Sequence, residues 1–213
     1  MSVPAGSAEL VSLVERNPEM SAADLLEHFT PPAQFEDASL DNYVPDPAYP
    51  SQTEALESVK QFAVGGSFRP AKKTLFGKKK ASSGERPGLY LDGGFGVGKT
   101  HLLAALWHQT PGRTYYGTFI EYTALVGALG YQGTVQYLTG ADFLAIDEFE
   151  LDDPGDTMVM SRLLGELVAT GTRLAATSNT PPNALGEGRF AAEDFLREIT
   201  ALSDKFTTLR IEG

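Results

Sequence analysis

The sequence predicts an α/β fold in which a parallel sheet of five strands carries helices on both faces, with a small helical N-terminal extension before it. Three observations support this prediction. From Gly88 onward, short apolar, β-prone segments alternate with longer helix-forming segments. A glycine-rich segment joins the first of these strands to the first helix, and two later strands end in polar residues.

The alternation gives the order of the elements in the core. The predicted strands are 89–91, 114–119, 143–146, 173–178 and 207–211. The predicted helices are 101–108, 120–129 with a shorter one near 135–138, 157–170 and 190–202. Because each strand returns through a helix, neighbouring strands are expected to be parallel. Ligands in such sheets bind at the carboxyl ends of the strands.

The core is predicted to cover 88–213, and the residues before it divide into two parts. Residues 1–35 are predicted to form the helical extension, with helices at 8–16 and 22–29 whose apolar residues pack on the core. Residues 36–87 lead into the core through an extended segment, whose prolines prevent both a helix and a hydrogen-bonded β-strand. Ser51 is then expected to cap a helix from Gln52 to Val64.

The glycine-rich segment reads GGFGVGKT and fits the phosphate-binding P-loop pattern between a strand and a helix. Glycine lets the backbone N–H groups point inward around phosphate oxygens, and the following helix adds the positive end of its dipole. Lys99 is expected to reach the β and γ phosphates, and the Thr100 hydroxyl to coordinate Mg²⁺. The expected nucleotide-binding residues are Gly93, Gly94, Phe95, Gly96, Val97, Gly98, Lys99, Thr100 and His101.

Two carboxylates, Asp147 and Glu148, directly follow the apolar strand 143–146. Downstream of a P-loop this pattern is typical of a Walker B strand, in which Asp147 helps to hold Mg²⁺ and Glu148 polarises the attacking water. The alternative is that both acids only form the solvent-facing end of the strand. The second acid favours ATP hydrolysis, because a passive binding loop needs no base.

Asn179 follows strand 173–178 and is expected to lie between the two Walker elements, where its amide could orient water or contact the γ-phosphate. Thr177 or Ser178 could share this catalytic sensor role. An asparagine before a Thr-Pro-Pro sequence also suits an ordinary turn.

Arg189 and Arg197 flank the start of the last predicted helix. Either could act as an arginine finger on the nucleotide of a neighbouring subunit, which implies a homo-oligomer. Arg189 is favoured as the catalytic residue. The alternative is that both arginines form ion pairs with nearby acids such as Glu193 and Glu198.

Two features bear on the identity of the nucleotide. The sequence has no Asn-Lys-x-Asp run, so it shows no means of selecting guanine, and ATP is the expected ligand. Tyr43 or Tyr49, in the extended segment, could stack against the base or could simply hold that segment on the core.

Composition restricts the class of partner and the compartment. With 17 basic and 28 acidic residues among 213, the net charge of −11 opposes general attraction to nucleic acid. The lysine-rich stretch 69–86 is a local basic segment that could still contact an acidic partner or nucleic acid. The lack of cysteine excludes disulfides and fits a reducing compartment. Without a recognisable secretory signal or an apolar run of ~18 residues, the protein is expected to be cytoplasmic, with no stable membrane insertion.

The P-loop, together with the sequences LDNYVPDPAYPSQ, AIDEFELDDPGDT and AATSNTPP, resembles the ZapE family of cell division proteins, which are AAA+-like P-loop ATPases. The resemblance covers nearly the whole chain. It implies ATP hydrolysis and, in bacteria, association with the division ring built from FtsZ.

Two differences from that family bear on what is expected here. Family members usually extend beyond the position of Gly213, so a C-terminal helical lid and a second sensor are expected outside this sequence. Some relatives place an arginine where this chain has Ala191 or Ala192, which leaves the choice of arginine finger open.

Two other classes of function are alternatives. The sequence GKTHLLAA also resembles AAA+ helicase loaders and replication initiators, for which the basic stretch 69–86 would contact DNA. The third class is a nucleotide switch or scaffold that binds ATP without hydrolysing it.

Overall fold

The structure is a computed structural model that describes residues 22–65, 86–186 and 196–213. Several predictions concern residues outside these ranges. They are the helix at 8–16, the basic stretch 69–86 apart from Arg86, the first part of the helix at 190–202, and Arg189.

The described elements alternate as the sequence predicts. The strands are β1 (Gly88–Gly93), β2 (Thr114–Thr118), β3 (Phe143–Asp147), β4 (Arg173–Ser178) and β5 (Phe206–Ile211). The helices are α1 (Ala22–Glu27), α2 (Pro50–Val64), α3 (Lys99–Gln109), α4 (Phe119–Leu138), α5 (Pro154–Ala169) and α6 (Leu196–Ser203). Short 3₁₀ helices cover Ala33–Phe35 and Pro182–Ala184.

The five strands form one parallel sheet in the order β2-β3-β4-β1-β5. Alternate side chains of each strand pack against different helices, because successive residues of a strand point to opposite faces. On β1, Leu89 and Leu91 belong to a cluster with residues of α2 and α3, whereas Tyr90 belongs to a cluster with residues of α4, α5 and α6. The predicted α/β fold with helices on both faces is confirmed.

Two helices begin earlier than predicted, at prolines. Helix α2 begins at Pro50, and the expected Ser51 cap is wrong because the fixed φ of proline suits the first helical position, where no N–H is needed. The Ser51 hydroxyl instead accepts a hydrogen bond from the Glu212 N–H at 2.9 Å. Helix α5 begins at Pro154, three residues before the predicted start, and is capped by the Asp153 carboxylate.

The predicted break after the helix at 120–129 occurs at a single residue. Gly130 has a φ of 71°, outside the helical region, and the chain resumes helical geometry directly after it. Helix α4 therefore runs from Phe119 to Leu138 with a kink.

The segment that precedes the core is attached to it through Phe29. The Phe29 ring is buried and lies edge-on to Tyr122 of α4, with the ring centroids 5.0 Å apart. Its carbonyl accepts a hydrogen bond from the Tyr116 N–H of β2 at 2.8 Å. The 3₁₀ helix that follows is held against α3, where the Phe35 carbonyl lies 3.0 Å from a ring nitrogen of His108. Of the helices that the structure describes, none has the length and apolar character needed to cross a bilayer.

Candidate active site

A cavity of about 360 Å³ lies at the carboxyl ends of β1, β3 and β4. These three strands are neighbours in the sheet, so residues that are far apart in the chain meet here. The cavity is lined by Phe35, Phe95, Gly96, Gly98, Lys99, Thr100, His101, Asp147, Glu148, Thr177, Ser178 and Asn179. Apart from Phe35, every one of these residues lies in or beside the three motifs identified from sequence.

The loop between β1 and α3 depends on glycine at two positions. Gly96 and Gly98 have φ values of 79° and 86°, in the left-handed region that other residues rarely adopt. A Cβ added at Gly98 would also lie 2.5 Å from the Tyr43 ring. Gly98 is the residue from which α3 begins, so the loop directs the amino end of that helix toward the cavity.

Lys99 is buried, and its ammonium is surrounded by oxygen acceptors. It donates to the Gly93 carbonyl at 2.8 Å, to the Gly94 carbonyl at 2.5 Å and to the Asn179 amide oxygen at 3.0 Å. Burial lowers the pKa of Lys99, whereas nearby carboxylates, Asp92 first among them, raise it. These three acceptors match the three donors of an ammonium group.

Asp147 ends β3, and its carboxylate accepts hydrogen bonds from three hydroxyl groups. The Tyr116 hydroxyl of β2 donates to Oδ2 at 2.7 Å, and the Thr100 hydroxyl of α3 donates to Oδ1 at 3.3 Å. The Thr177 hydroxyl of β4 also donates to Oδ1. Burial, and then the Asp147 carboxylate, raise the pKa of Tyr116, so the phenol stays protonated and remains a donor.

Glu148 has a backbone conformation that is uncommon outside glycine. Its φ is 51°, and its N–H donates both to Asp147 Oδ1 at 3.2 Å and to the Thr177 hydroxyl at 3.1 Å. The next residue, Phe149, is fully buried, whereas the Glu148 side chain is exposed and lines the cavity. The turn after β3 thus buries the Phe149 ring in the core and leaves the Glu148 carboxylate accessible to a ligand.

Asn179 follows β4, which lies between β1 and β3, so its predicted position between the two Walker elements agrees with the strand order. Its amide oxygen is held by Lys99 and its backbone N–H donates to Glu150 at 3.0 Å. The Glu150 carboxylate also accepts from the hydroxyls of Ser178 at 2.6 Å and Thr180 at 2.8 Å. Sequence reasoning gave Glu150 no role, although it lies within the sequence AIDEFELDDPGDT, because its partners lie about 30 residues away.

The aromatic residues of the segment before the P-loop occupy unexpected positions. Tyr43 is buried, and its hydroxyl donates to the Val97 carbonyl at 2.9 Å, so it holds the P-loop from behind. Neither Tyr43 nor Tyr49 is among the residues that line the cavity, whereas Phe35 is. The structure therefore supports the holding role for Tyr43. Phe35, directly before the extended segment, is instead the aromatic residue of this region that lines the cavity.

The two candidate arginine fingers are not brought to the cavity by the described part of the chain. Arg189 lies outside the described residues, and Arg197 is an exposed residue of α6 that does not line the cavity. A role for either arginine stays a prediction.

The residues present fit a triphosphate with Mg²⁺. At Gly94 and Gly96 an added Cβ would meet no atom within 4 Å, so the loop backbone borders open space in which phosphates can lie. The Thr100 hydroxyl and the Asp147 carboxylate are oxygen ligands of the kind that Mg²⁺ prefers, and they lie 3.3 Å apart.

The strand order, the glycine loop and the acids that end β3 define a P-loop protein of the AAA+ type. Within that class, the chain belongs to the AFG1-like ATPase family, whose model matches residues 20–213. The chain is 28% identical to cell division protein ZapE of Escherichia coli K12, in a match that covers 88% of this chain. It spans only 56% of the length of that relative.

Several solved structures with the same fold are of DNA replication proteins. AMPPCP-bound DnaA from Aquifex aeolicus matches with a TM-score of 0.61 and 17% identity, over 83% of this chain and 50% of that chain. The DnaC helicase loader matches with a TM-score of 0.59 and 17% identity, over 84% of this chain and 99% of that chain. At these identities the likeness shows the fold alone.

The holding role of Tyr43 can be tested by removing its hydroxyl. Tyr43→Phe keeps the ring but leaves the buried Val97 carbonyl without its donor, so the free energy of unfolding should fall by about 1 kcal/mol. Urea denaturation measures this change. Tyr49→Phe is the control, because that side chain is more exposed and its hydroxyl has no hydrogen bond among the described residues, so a change within about 0.5 kcal/mol is expected. Equal stability of Tyr43→Phe and the parent would contradict the holding role.

Proposed function

We propose that this protein is a Mg²⁺-dependent ATPase that acts in bacterial cell division, in the cytoplasm and on the ring built from FtsZ. The observation that carries the ATPase part is the meeting of Lys99, Thr100, Asp147, Glu148 and Asn179 around one cavity. The division role is supported by the similarity to cell division protein ZapE.

Nucleotide binding is proposed to proceed by an exchange of partners at Lys99. Its ammonium is satisfied by two loop carbonyls and by Asn179. A phosphate oxygen offers a charged acceptor in place of neutral ones, and charge-assisted hydrogen bonds are the stronger kind. Lys99 then turns toward the β and γ phosphates, while loop N–H groups and the amino end of α3 contribute further donors.

The metal is proposed to be held by Thr100 and Asp147, together with the phosphates. When bound, Mg²⁺ would neutralise charge on the phosphates. The Tyr116 hydroxyl fixes the orientation of the Asp147 carboxylate through Oδ2, which leaves Oδ1 on the side of Thr100. Tyr116 is thereby proposed to position this carboxylate for the metal.

Hydrolysis is proposed to use Glu148 as the general base and Asn179 as the sensor. The exposed Glu148 carboxylate accepts a proton from the attacking water, and the Asn179 amide, released by Lys99, contacts the water or the γ-phosphate. Glu150 accepts a hydrogen bond from the Asn179 backbone N–H and so helps to keep the sensor in place. Arg189 is proposed to act in trans within a homo-oligomer.

Phe35 and His101 are proposed to border the adenine. Both line the cavity, and the His101 ring N–H donates a hydrogen bond to the Ser39 carbonyl at 3.0 Å, which ties it to the segment that carries Phe35. Their rings offer the apolar surface that a purine needs.

The catalytic role of Glu148 can be tested by comparing two isosteric variants. Glu148→Gln should lower the rate of phosphate release roughly 100-fold or more, since a general base contributes about 10²- to 10⁴-fold, while ATP binding is retained. Glu57→Gln is an equally conservative change at an exposed side chain of α2 and should leave the rate unchanged. Phosphate release and ATP affinity would both be measured. Turnover of Glu148→Gln at the parental rate would exclude Glu148 as the base.

The division role can be tested by co-sedimentation with FtsZ filaments from the same organism. Glu148→Gln holds ATP without turnover, so this variant should sediment with FtsZ in the presence of ATP and remain in solution without it. Lys99→Ala is the control, since it should bind ATP roughly 10- to 100-fold more weakly and so lose the ATP dependence. A parallel experiment replaces FtsZ by single-stranded DNA. ATP-dependent binding to DNA and none to FtsZ would favour the helicase-loader alternative.

A further inference from the structure

A second cavity, of about 340 Å³, lies at the opposite end of the sheet from the candidate active site. It is bordered by the last turn of α2 and by the first residues of β1 and β4, and by Thr207 and Leu209 of β5. Because the strands are parallel, their amino ends are separated from the P-loop by the length of β1, about 16 Å. The residues that border this cavity therefore take no part in the site at the carboxyl edge.

Arg173 is a buried cation at the wall of this cavity. It is 8% exposed, and its guanidinium lies 3.8 Å from the centroid of the Phe62 ring. One of its nitrogens donates to the Phe62 carbonyl in the last turn of α2. In the ranges that the structure describes, no carboxylate lies within ion-pair distance of Arg173. Burial lowers its pKa, and no neighbouring carboxylate counteracts this effect.

Arg86 brings a second guanidinium to the same cavity. Its side chain is exposed and donates to the Phe206 carbonyl at 2.6 Å. Arg86 lies two residues before the start of β1. Among described residues it, too, has no carboxylate within ion-pair distance. The chain has a net charge of −11, so two cations that line one cavity and have no acidic partner among the described residues are a local exception.

Within the ranges that the structure describes, the two guanidinium groups retain donors without an acceptor. Each has five N–H donors, and the carbonyl acceptors described above take one from each side chain. Ser58, Gln61 and Thr207 add a hydroxyl, an amide and a second hydroxyl to the wall. The described residues that line the cavity include no aspartate or glutamate. A negatively charged group placed here would meet several donors and no like charge.

We propose that this cavity binds a small oxyanion, the phosphate or carboxylate group of a small molecule, between Arg86 and Arg173. Arginine suits this role because its planar fork of donors matches both groups bidentately. The volume lies at the lower end of the range typical of small-ligand sites, about 300–1,000 Å³. The site is independent of the proposed ATPase activity.

The probes are inorganic phosphate and malonate, titrated separately by calorimetry at constant ionic strength. Phosphate could also enter the P-loop, so both anions are titrated into Lys99→Ala, in which the second cavity is intact. Saturable binding to this variant is expected. Binding of phosphate alone would assign a phosphorylated ligand, and binding of malonate alone a carboxylate.

Substitutions in the cavity are then made both in the parent protein and in Lys99→Ala, and anion binding is measured for each. Arg86→Gln, on an exposed side chain, should weaken anion binding at least about tenfold, and Arg86→Lys should recover only part of it. Arg162→Gln removes an exposed arginine of α5 and is the matched control, with no expected effect. Circular dichroism checks that each variant is folded. The proposal is overturned if neither anion binds Lys99→Ala, or if Arg86→Gln binds as tightly as the parent.

Discussion

Lys99 can be buried only because three strands end side by side at one edge of the sheet. An ammonium group removed from water is costly unless acceptors surround it. Two acceptors come from the loop after β1, and the third, Asn179, comes from β4, eighty residues later. The order β3-β4-β1 makes this possible, since β4 pairs with both of the strands that carry the Walker elements. The same arrangement brings the Thr100 and Thr177 hydroxyls to one oxygen, Oδ1, of the Asp147 carboxylate.

The site satisfies its own polar groups with partners that a ligand can replace. Lys99 is bound to neutral carbonyl and amide oxygens, and Asp147 accepts from hydroxyl groups. Each such hydrogen bond has a net value of about 0.5–1.5 kcal/mol, so exchange for charged phosphate oxygens is favourable without a large rearrangement. Other contacts are not in competition with a ligand. Tyr43 behind the loop and Glu150 behind Asn179 act from outside the cavity and keep the backbone in position.

The fold and the motif residues could be predicted because their signals are local. The P-loop needs glycines at fixed spacing, and an apolar strand that ends in Asp147 is recognisable within six residues. The position of Asn179 required a further step, the strand order. Glu150, Tyr116 and Phe35 were missed, because each acts through contacts with distant residues that no short pattern records. Serine favours the N-cap position of a helix, which predicts a cap at Ser51. Pro50 suits the first helical position, so the helix begins one residue before Ser51. Arg86 and Arg173 likewise come to line one cavity only when the sheet is assembled.

The central claim is that the edge formed by β1, β4 and β3 is one site for ATP and Mg²⁺. A crystal structure of the protein with AMPPCP and Mg²⁺ tests it most directly. The account predicts that the triphosphate lies in the loop, that Lys99 Nζ has left Asn179 for a β or γ phosphate oxygen, and that Thr100 and Asp147 lie beside the metal. The account is contradicted if the nucleotide binds elsewhere while Lys99 keeps its bonds to Gly93, Gly94 and Asn179.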